Sequence, residues 1–267
     1  SRFMSSIGKK ASFMSNGDGH SGNSGGTLKK GPSGRSYKTK AGLTKKPKKM
    51  RGRKLSSQRW LTRQLNDPFV SQTHERGLRS RAAIKLEQMD DKHHFLRPHM
   101  KIVDLGCAPG GWLQIISKRC RLDAGIGCLV GIDLLETEAV AGSYILQGDI
   151  HDPLMLEEIK SHLEGKADIV LSDMAAATTG HRPTDHLRTM GLLEIAIDFA
   201  DEVLADGGVF LAKAFRGGAD KSLLGLLNER FEKVKHLKPA ASRVESVETY
   251  LLASGYLRSE KAEQARD

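Results

Sequence analysis

From residue 101 onward the chain alternates between two hydrophobic periods. Short apolar, β-branched runs at 101–105, 128–134, 143–147, 168–172, 208–214, 232–237 and 248–253 have the length and composition of strands. Between most of them, at 111–120, 153–164, 186–205 and 220–230, apolar residues recur at helical spacing. Strand–helix–strand alternation predicts a mainly parallel sheet with helices on both faces. The last two runs are joined by a short link at 238–247 without helical pattern. So short a connection predicts one antiparallel edge strand in a seven-stranded sheet. Upstream, Ala83, Ile84, Leu86 and Met89 predict an amphipathic helix, and Trp60, Leu61 and Leu65 predict a shorter one before it.

In an open α/β sheet, ligands bind at the carboxyl ends of the strands. The first run ends at Asp104 and continues as GCAPGG, where Gly106, Gly110 and Gly111 let the backbone approach a ligand ahead of a helix N-terminus. The dinucleotide fingerprint G-x-G-x-x-G is broken by Ala108 at its third position. The following runs end in Asp133 (GIDLL), Asp149 (LQGDI), Asp173 (VLSDMA) and Lys213 (FLAKAF). Singly, an Asp after a strand commonly caps a turn. Lys213, however, lies within an otherwise apolar run, where an unpaired ammonium is costly. Three acids and a base at four consecutive strand ends point to a site.

Charge divides the chain in two. Residues 1–60 hold 16 Lys and Arg against one acid, a net +15, whereas the whole chain carries +10, which leaves −5 for residues 61–267. The basic part is rich in Gly, Ser and Lys and poor in apolar residues, so residues 1–55 are expected to be a disordered extension. The expected folded domain spans 56–258, followed by a charged tail at 259–267. A polycation beside a folded domain predicts a nucleic-acid partner. The clustered cations Arg76, Arg79, Arg81, Lys85, Arg182 and Arg188 are expected to meet phosphates. No apolar run reaches about 18 residues, so no membrane span is expected. Cys107, Cys120 and Cys128 have no CxxC spacing, which predicts no metal site and suits the reducing cytoplasm. The opening SRFMSSIGKKASFMS is basic and free of acids, like a mitochondrial targeting segment, so the mitochondrial matrix is the alternative location. A monomer is the default expectation.

Taken together, DLGCAPGGW, GIDLL, LQGDI, VLSDMA, LAKAF and SRVESVETY resemble the RrmJ/FtsJ family of S-adenosylmethionine-dependent RNA ribose 2′-O-methyltransferases, over about residues 57–256. The resemblance implies a Rossmann-like methyltransferase fold and S-adenosylmethionine as methyl donor, with no metal. It implies a ribosomal RNA or large-ribosomal-subunit substrate, methylated on the ribose of a uridine. Carried over residue by residue, Gly110 and Trp112 belong to the cofactor pocket. Asp133 takes the ribose hydroxyls, Asp149 the adenine amino edge, and Asp173 the methionine end. The catalytic set implied is Lys85, Asp173, Lys213 and Glu248, with Lys213 as base or orienting group. Trp112 has a second reading as core packing at the first helix turn. The loop AATTGHRPTDHLRT lacks the Pro-Asn that often follows SDMA in the family. Rival readings are another RNA substrate, a non-catalytic ribosome-assembly factor on the same fold, and a nicotinamide-dependent oxidoreductase, which the broken fingerprint disfavours.

Overall fold

The computed structural model describes residues 67–177, 179–215, 221–243 and 246–257. The expected extension 1–55, the tail 259–267 and the helix bearing Trp60, Leu61 and Leu65 lie outside the described residues. Helix α1 (Pro68–Glu75) starts where Asp67 accepts a hydrogen bond from the Phe69 amide at 3.0 Å and Pro68 takes the first turn. Then follow α2 (Ala82–His93), β1 (Lys101–Leu105), α3 (Gly111–Cys120), a short 3₁₀ turn, β2 (Cys128–Asp133) and β3 (Ser143–Gln147). Helix α4 (Pro153–Leu163) opens as α1 does, with Asp152 as its cap and proline next. The chain continues through β4 (Ala167–Ser172), α5 (Arg182–Val203), β5 (Leu204–Phe215), α6 (Lys221–Arg230), β6 (Phe231–Leu237) and β7 (Glu248–Tyr256).

The strands form one seven-stranded sheet in the order β3-β2-β1-β4-β5-β7-β6. The pairs β2–β3, β1–β2, β1–β4 and β4–β5 are parallel. Two apolar layers sandwich the sheet. Residues such as Ala83, Leu86, Trp112 and Leu113 bring α2 and α3 onto one face. Ile159, Ile197 and Leu227 bring α4, α5 and α6 onto the other. This is an α/β Rossmann-like fold with a mainly parallel sheet, as the alternating periods predict.

The reversed strand is refined in one respect. It is β7, antiparallel to both β5 and β6, and it sits one place in from the rim with β6 outside it. The sequences of the two strands account for this. β7 is a near-continuous apolar run that is buried along most of its length, as an interior strand should be. β6 (FEKVKHL) alternates with charged residues and presents lysines at the open edge, which guards against pairing with other chains. The placement has a functional consequence, because it brings the start of β7 directly alongside the end of β5.

Candidate active site

Side chains along a strand alternate between faces, so the core fixes the direction of the remaining residues. Ile102, Leu129, Leu171, Leu211, Tyr250 and Leu252 belong to the layer beneath α2 and α3. Counting in twos puts Asp104, Asp133, Asp173, Lys213 and Glu248 on that same face. The parallel strands end at one edge of the sheet, and antiparallel β7 begins there, with Tyr250 opposite Lys213 and Glu248 opposite Phe215.

Four of the expected residues converge at this edge. Lys213 Nζ lies 2.8 Å from Asp173 Oδ1 and donates to the Asp173 carbonyl oxygen at 2.9 Å. Glu248 Oε1 is 3.9 Å from the same nitrogen. Lys85, from α2, donates to Glu248 Oε2 at 2.9 Å. Partial burial pushes the Glu248 carboxyl up, but Lys85 and Lys213 outweigh it and hold the group below the usual glutamate range. Glu248 thus bridges the two amines as a carboxylate. A cavity of about 710 Å³ opens beside the cluster, with Lys85, Lys213 and Glu248 in its wall together with Phe215 and Arg243.

One member of the cluster was not assigned a role from sequence. The Tyr250 hydroxyl donates to Asp173 Oδ1 at 2.9 Å, its ring lies 5.9 Å from that of Trp112, and Lys85 Nζ stands 5.8 Å from the ring centroid. Tyr250 is fully buried. Burial pushes its hydroxyl well above the ordinary tyrosine range, and Asp173 and Glu248 push it the same way, so it stays a neutral donor. A tyrosine inside an apolar strand run needs a partner for its hydroxyl, and that signal was present in VETYLLA.

The other half of the edge is built differently. Gly110 has φ +99°, and a Cβ there would stand 2.4 Å from Arg79 Nη1, so both its conformation and its close contact suit glycine. Asp133 Oδ2 accepts from the Ala108 amide and Oδ1 from the Leu135 amide, each at 2.9 Å. These bonds clasp the glycine loop to the end of β2, and each oxygen keeps a further lone pair for a ligand. Asp149 is exposed and takes the His151 amide at 3.0 Å and the His151 ring at 2.6 Å, both on Oδ1. The backbone bond and then the ring hold its carboxyl below the usual range. Trp112 is buried in the layer under α2 and donates Nε1–H to the Ala82 carbonyl at 2.9 Å, so its side chain packs as the second reading describes. Asp104 is fully buried, and neither of its oxygens has a hydrogen-bond partner among the described residues.

Several of the cations expected to meet phosphates have partners within the chain. Arg76 makes a two-pronged pair with Glu87, at 2.6 and 2.7 Å. Arg79 binds the Glu138 and Ala139 carbonyls, while its own amide donates to Gln114 Oε1 at 2.8 Å. Arg81 donates Nε–H to the Ala241 carbonyl at 2.9 Å and pairs with Asp67. Arg188 reaches the Ala177 carbonyl. The side chain of Arg182 lies outside the described residues. Arg81, Lys85 and Gln88 form one stripe of α2, and all three grip the β6–β7 segment, since Gln88 Oε1 accepts from the Ala241 amide at 2.7 Å. Arg76 and Arg79 are thus engaged elsewhere in the chain, while Arg81, Lys85 and Gln88 tie the β6–β7 segment and the start of β7 to α2.

Fold and site together define a Rossmann-like enzyme of the methyltransferase class, with a glycine loop at one end of the sheet edge and a lysine–carboxylate cluster at the other. The model of the FtsJ-like methyltransferases matches residues 78–256, and the chain belongs to this family. It is 50% identical over 230 residues to ribosomal RNA large subunit methyltransferase E of Xanthobacter autotrophicus, covering 86% of this chain and 88% of that protein. It is 49% identical over 244 residues to the protein of the same name from Parvibaculum lavamentivorans, covering 89% and 94%. A crystal structure from Plasmodium falciparum, provisionally assigned as a ribosomal RNA methyltransferase, superposes with a TM-score of 0.60 at 31% identity, covering 67% of this chain and 99% of that one.

Proposed function

We propose that the chain methylates the 2′-hydroxyl of a uridine ribose in large-subunit ribosomal RNA, with S-adenosylmethionine as donor and no metal. The observation that carries this reading is the meeting of Lys85, Asp173, Lys213 and Glu248 beside an open cavity at the strand ends. The names of the relatives support ribosomal RNA as the substrate and, since those relatives are bacterial, the cytoplasm as the place of action.

The donor half suits a cationic ligand. Asp104 and Asp133 lie along it, and Asp104 keeps two oxygens with no partner among the described residues. Asp133 retains lone pairs for a ribose diol, and Asp149 Oδ2 has no partner among the described residues and can accept from the adenine amino group. Gly110 takes the positive φ that the turn of the loop requires, and Trp112 supports the wall from beneath. When bound, S-adenosylmethionine supplies a methyl group on a sulfonium that is already a good leaving group.

The harder problem is the acceptor, because a ribose hydroxyl is a weak acid and a weak nucleophile. Lys213 has three oxygens around it, two from Asp173 and one from Glu248. As an ammonium it donates to the Asp173 pair and directs its third N–H at the attacking oxygen. As an amine it receives the hydroxyl proton. Asp173 and Glu248 fix its position in either case, and Lys85 holds Glu248 from the far side. Residues 56–258 make up the catalytic domain of a monomer, and the basic segment 1–55 adds sequence-independent attraction to RNA.

The test is transfer of labelled methyl groups onto large ribosomal subunits and onto protein-free ribosomal RNA, with the product nucleotide mapped. Label on the ribose of a single uridine supports the reading. Label on a base, on transfer RNA alone, or on nothing would overturn it.

A further inference from the structure

Asp104 is a charged residue type in a place that offers an ion nothing. It lies in β1, between parallel neighbours β2 and β4, with no exposed surface and, among the described residues, no hydrogen-bond partner on either oxygen. The charges that act on it are of its own sign, Asp173 at the end of β4 and Asp133 at the end of β2. The remaining titratable group near it, the Cys107 thiol of the glycine loop, is pushed up to about 12, by burial first and then by Asp104 and Asp133. Farther along the same face, Lys213 is engaged by Asp173 and Glu248, Lys85 by Glu248, and Tyr250 remains a neutral donor. Burial drives the Asp104 carboxyl well above the ordinary aspartate range, and the two acids add to the effect. In the chain alone, full burial, the lack of a partner among the described residues and two like charges all favour the neutral form of Asp104.

A neutral acid without partners, set beneath a cradle for a cationic ligand, can respond to that ligand's charge. The donor assigned above carries a sulfonium before transfer and a neutral thioether afterwards, and apart from the transferred methyl group the two species have the same skeleton. We propose that Asp104 is a specificity-determining residue that distinguishes donor from spent product by charge, ionising when the sulfonium occupies the cradle and remaining protonated when the site is empty or holds the thioether. This rests on the donor reading of the previous section. Binding of the donor expels one proton to solvent, and binding of the thioether expels none. After transfer the sulfonium charge is gone, Asp104 regains a proton, and the product loses the attraction that held the donor.

The sign of the pH dependence follows from the proton released. A ligand that expels a proton binds more tightly as pH rises. The donor should gain affinity across the window between the titration of Asp104 with and without the cation, and be flat outside it. The thioether should show no such rise.

The experiment is isothermal titration of the full chain with S-adenosylmethionine and with S-adenosylhomocysteine, each in buffers of different ionisation enthalpy, between about pH 6 and 9. About one proton released for the donor and none for the thioether is expected, with donor affinity rising up to about tenfold per pH unit inside the window. The near-isosteric Asp104→Asn should abolish the release and the slope, and cut the donor-over-thioether preference by about tenfold or more. Equal proton release for both ligands, release that persists in Asp104→Asn, or binding of both with no release in the unaltered chain would overturn the assignment while sparing the donor reading. Failure of both ligands to bind the unaltered chain would remove the donor reading and this proposal with it. The unaltered chain carries the decisive measurement, so the outcome does not depend on the variant folding.

Discussion

Asp104 and Asp173 lie on one face of the sheet, on adjacent strands, and their surroundings are opposite. Asp173 receives the Lys213 ammonium at 2.8 Å and the Tyr250 hydroxyl at 2.9 Å. Asp104 has no partner among the described residues and two like charges near it. The same contrast divides the whole carboxyl edge. From β4 to β7, amines and carboxylates balance one another within the chain and hold fixed positions. From β1 to β3, the acids are either unpartnered or held only by backbone amides and a histidine. A preorganised, charge-balanced cluster suits reacting groups that must not move, because their reorganisation has been completed in folding. An unbalanced cluster suits a ligand that brings the missing charge.

The sharpest way to break this division is to remove a charge from the balanced half. Lys213→Ala should lower kcat by at least about a hundredfold, the range expected when a proton-transfer or oxyanion-stabilising group is lost. Affinity for S-adenosylmethionine, measured by calorimetry, should hold, since Lys213 belongs to the acceptor side. Lys213→Arg refines the result. An arginine can orient the oxygen but does not act as a base, so substantial activity in that variant favours orientation over proton removal. Retained turnover in Lys213→Ala would take the residue out of the mechanism.

The second intervention falls on the unbalanced half and should give the reverse signature. Asp133→Ala removes the acceptor for the ribose diol and also frees the Ala108 and Leu135 amides, loosening the glycine loop. Donor affinity should fall about 10- to 100-fold, consistent with losing one or two charge-assisted hydrogen bonds. The kcat at saturating donor should change far less. An unchanged dissociation constant would contradict the assignment of Asp133, and a collapse of kcat at saturation would blur the two halves into one.

Much of this was legible along the chain, for a physical reason. Strand alternation is a period of two, so once Ile102, Leu129, Leu171, Leu211 and Leu252 are recognised as core, the direction of the strand-end acids and of Lys213 follows by counting. Lys85 came from the family resemblance, because the helix pattern marks only its apolar neighbours Ile84 and Leu86, and its turn toward β7 is seen in the fold. Strand order was harder to read, because periodicity says which face a residue takes and nothing about which strand is its neighbour. The composition of β6 and β7 carried a hint, charged and alternating against continuously apolar. The intrachain partners of the arginines could not be read, because they are remote in sequence or belong to the backbone. Arg79 meets Glu138 and Ala139, 59 and 60 positions away, and Arg81 meets Ala241, 160 positions away.

The smallest expected effect concerns the residue that joins the balanced cluster to the core. Tyr250→Phe keeps the ring that packs near Trp112 and beneath Lys85 and deletes only the hydroxyl that reaches Asp173. Asp173 keeps Lys213, so no charge is left unpaired, and the loss should be that of a single hydrogen bond, about 1 kcal/mol of stability. If the hydroxyl merely completes the core, that loss appears as a lower Tm and kcat is unchanged. If it also fixes the rotamer of Asp173, and through it Lys213, kcat should fall about 3- to 10-fold at saturating substrate, with the KM for donor unaltered. The balanced half predicts the second pattern, because a cluster whose members are held by one another transmits a small displacement from one to the next. A Tyr250→Phe variant with full kcat and a reduced Tm would show that the order of the lysine–carboxylate cluster does not depend on its tyrosine.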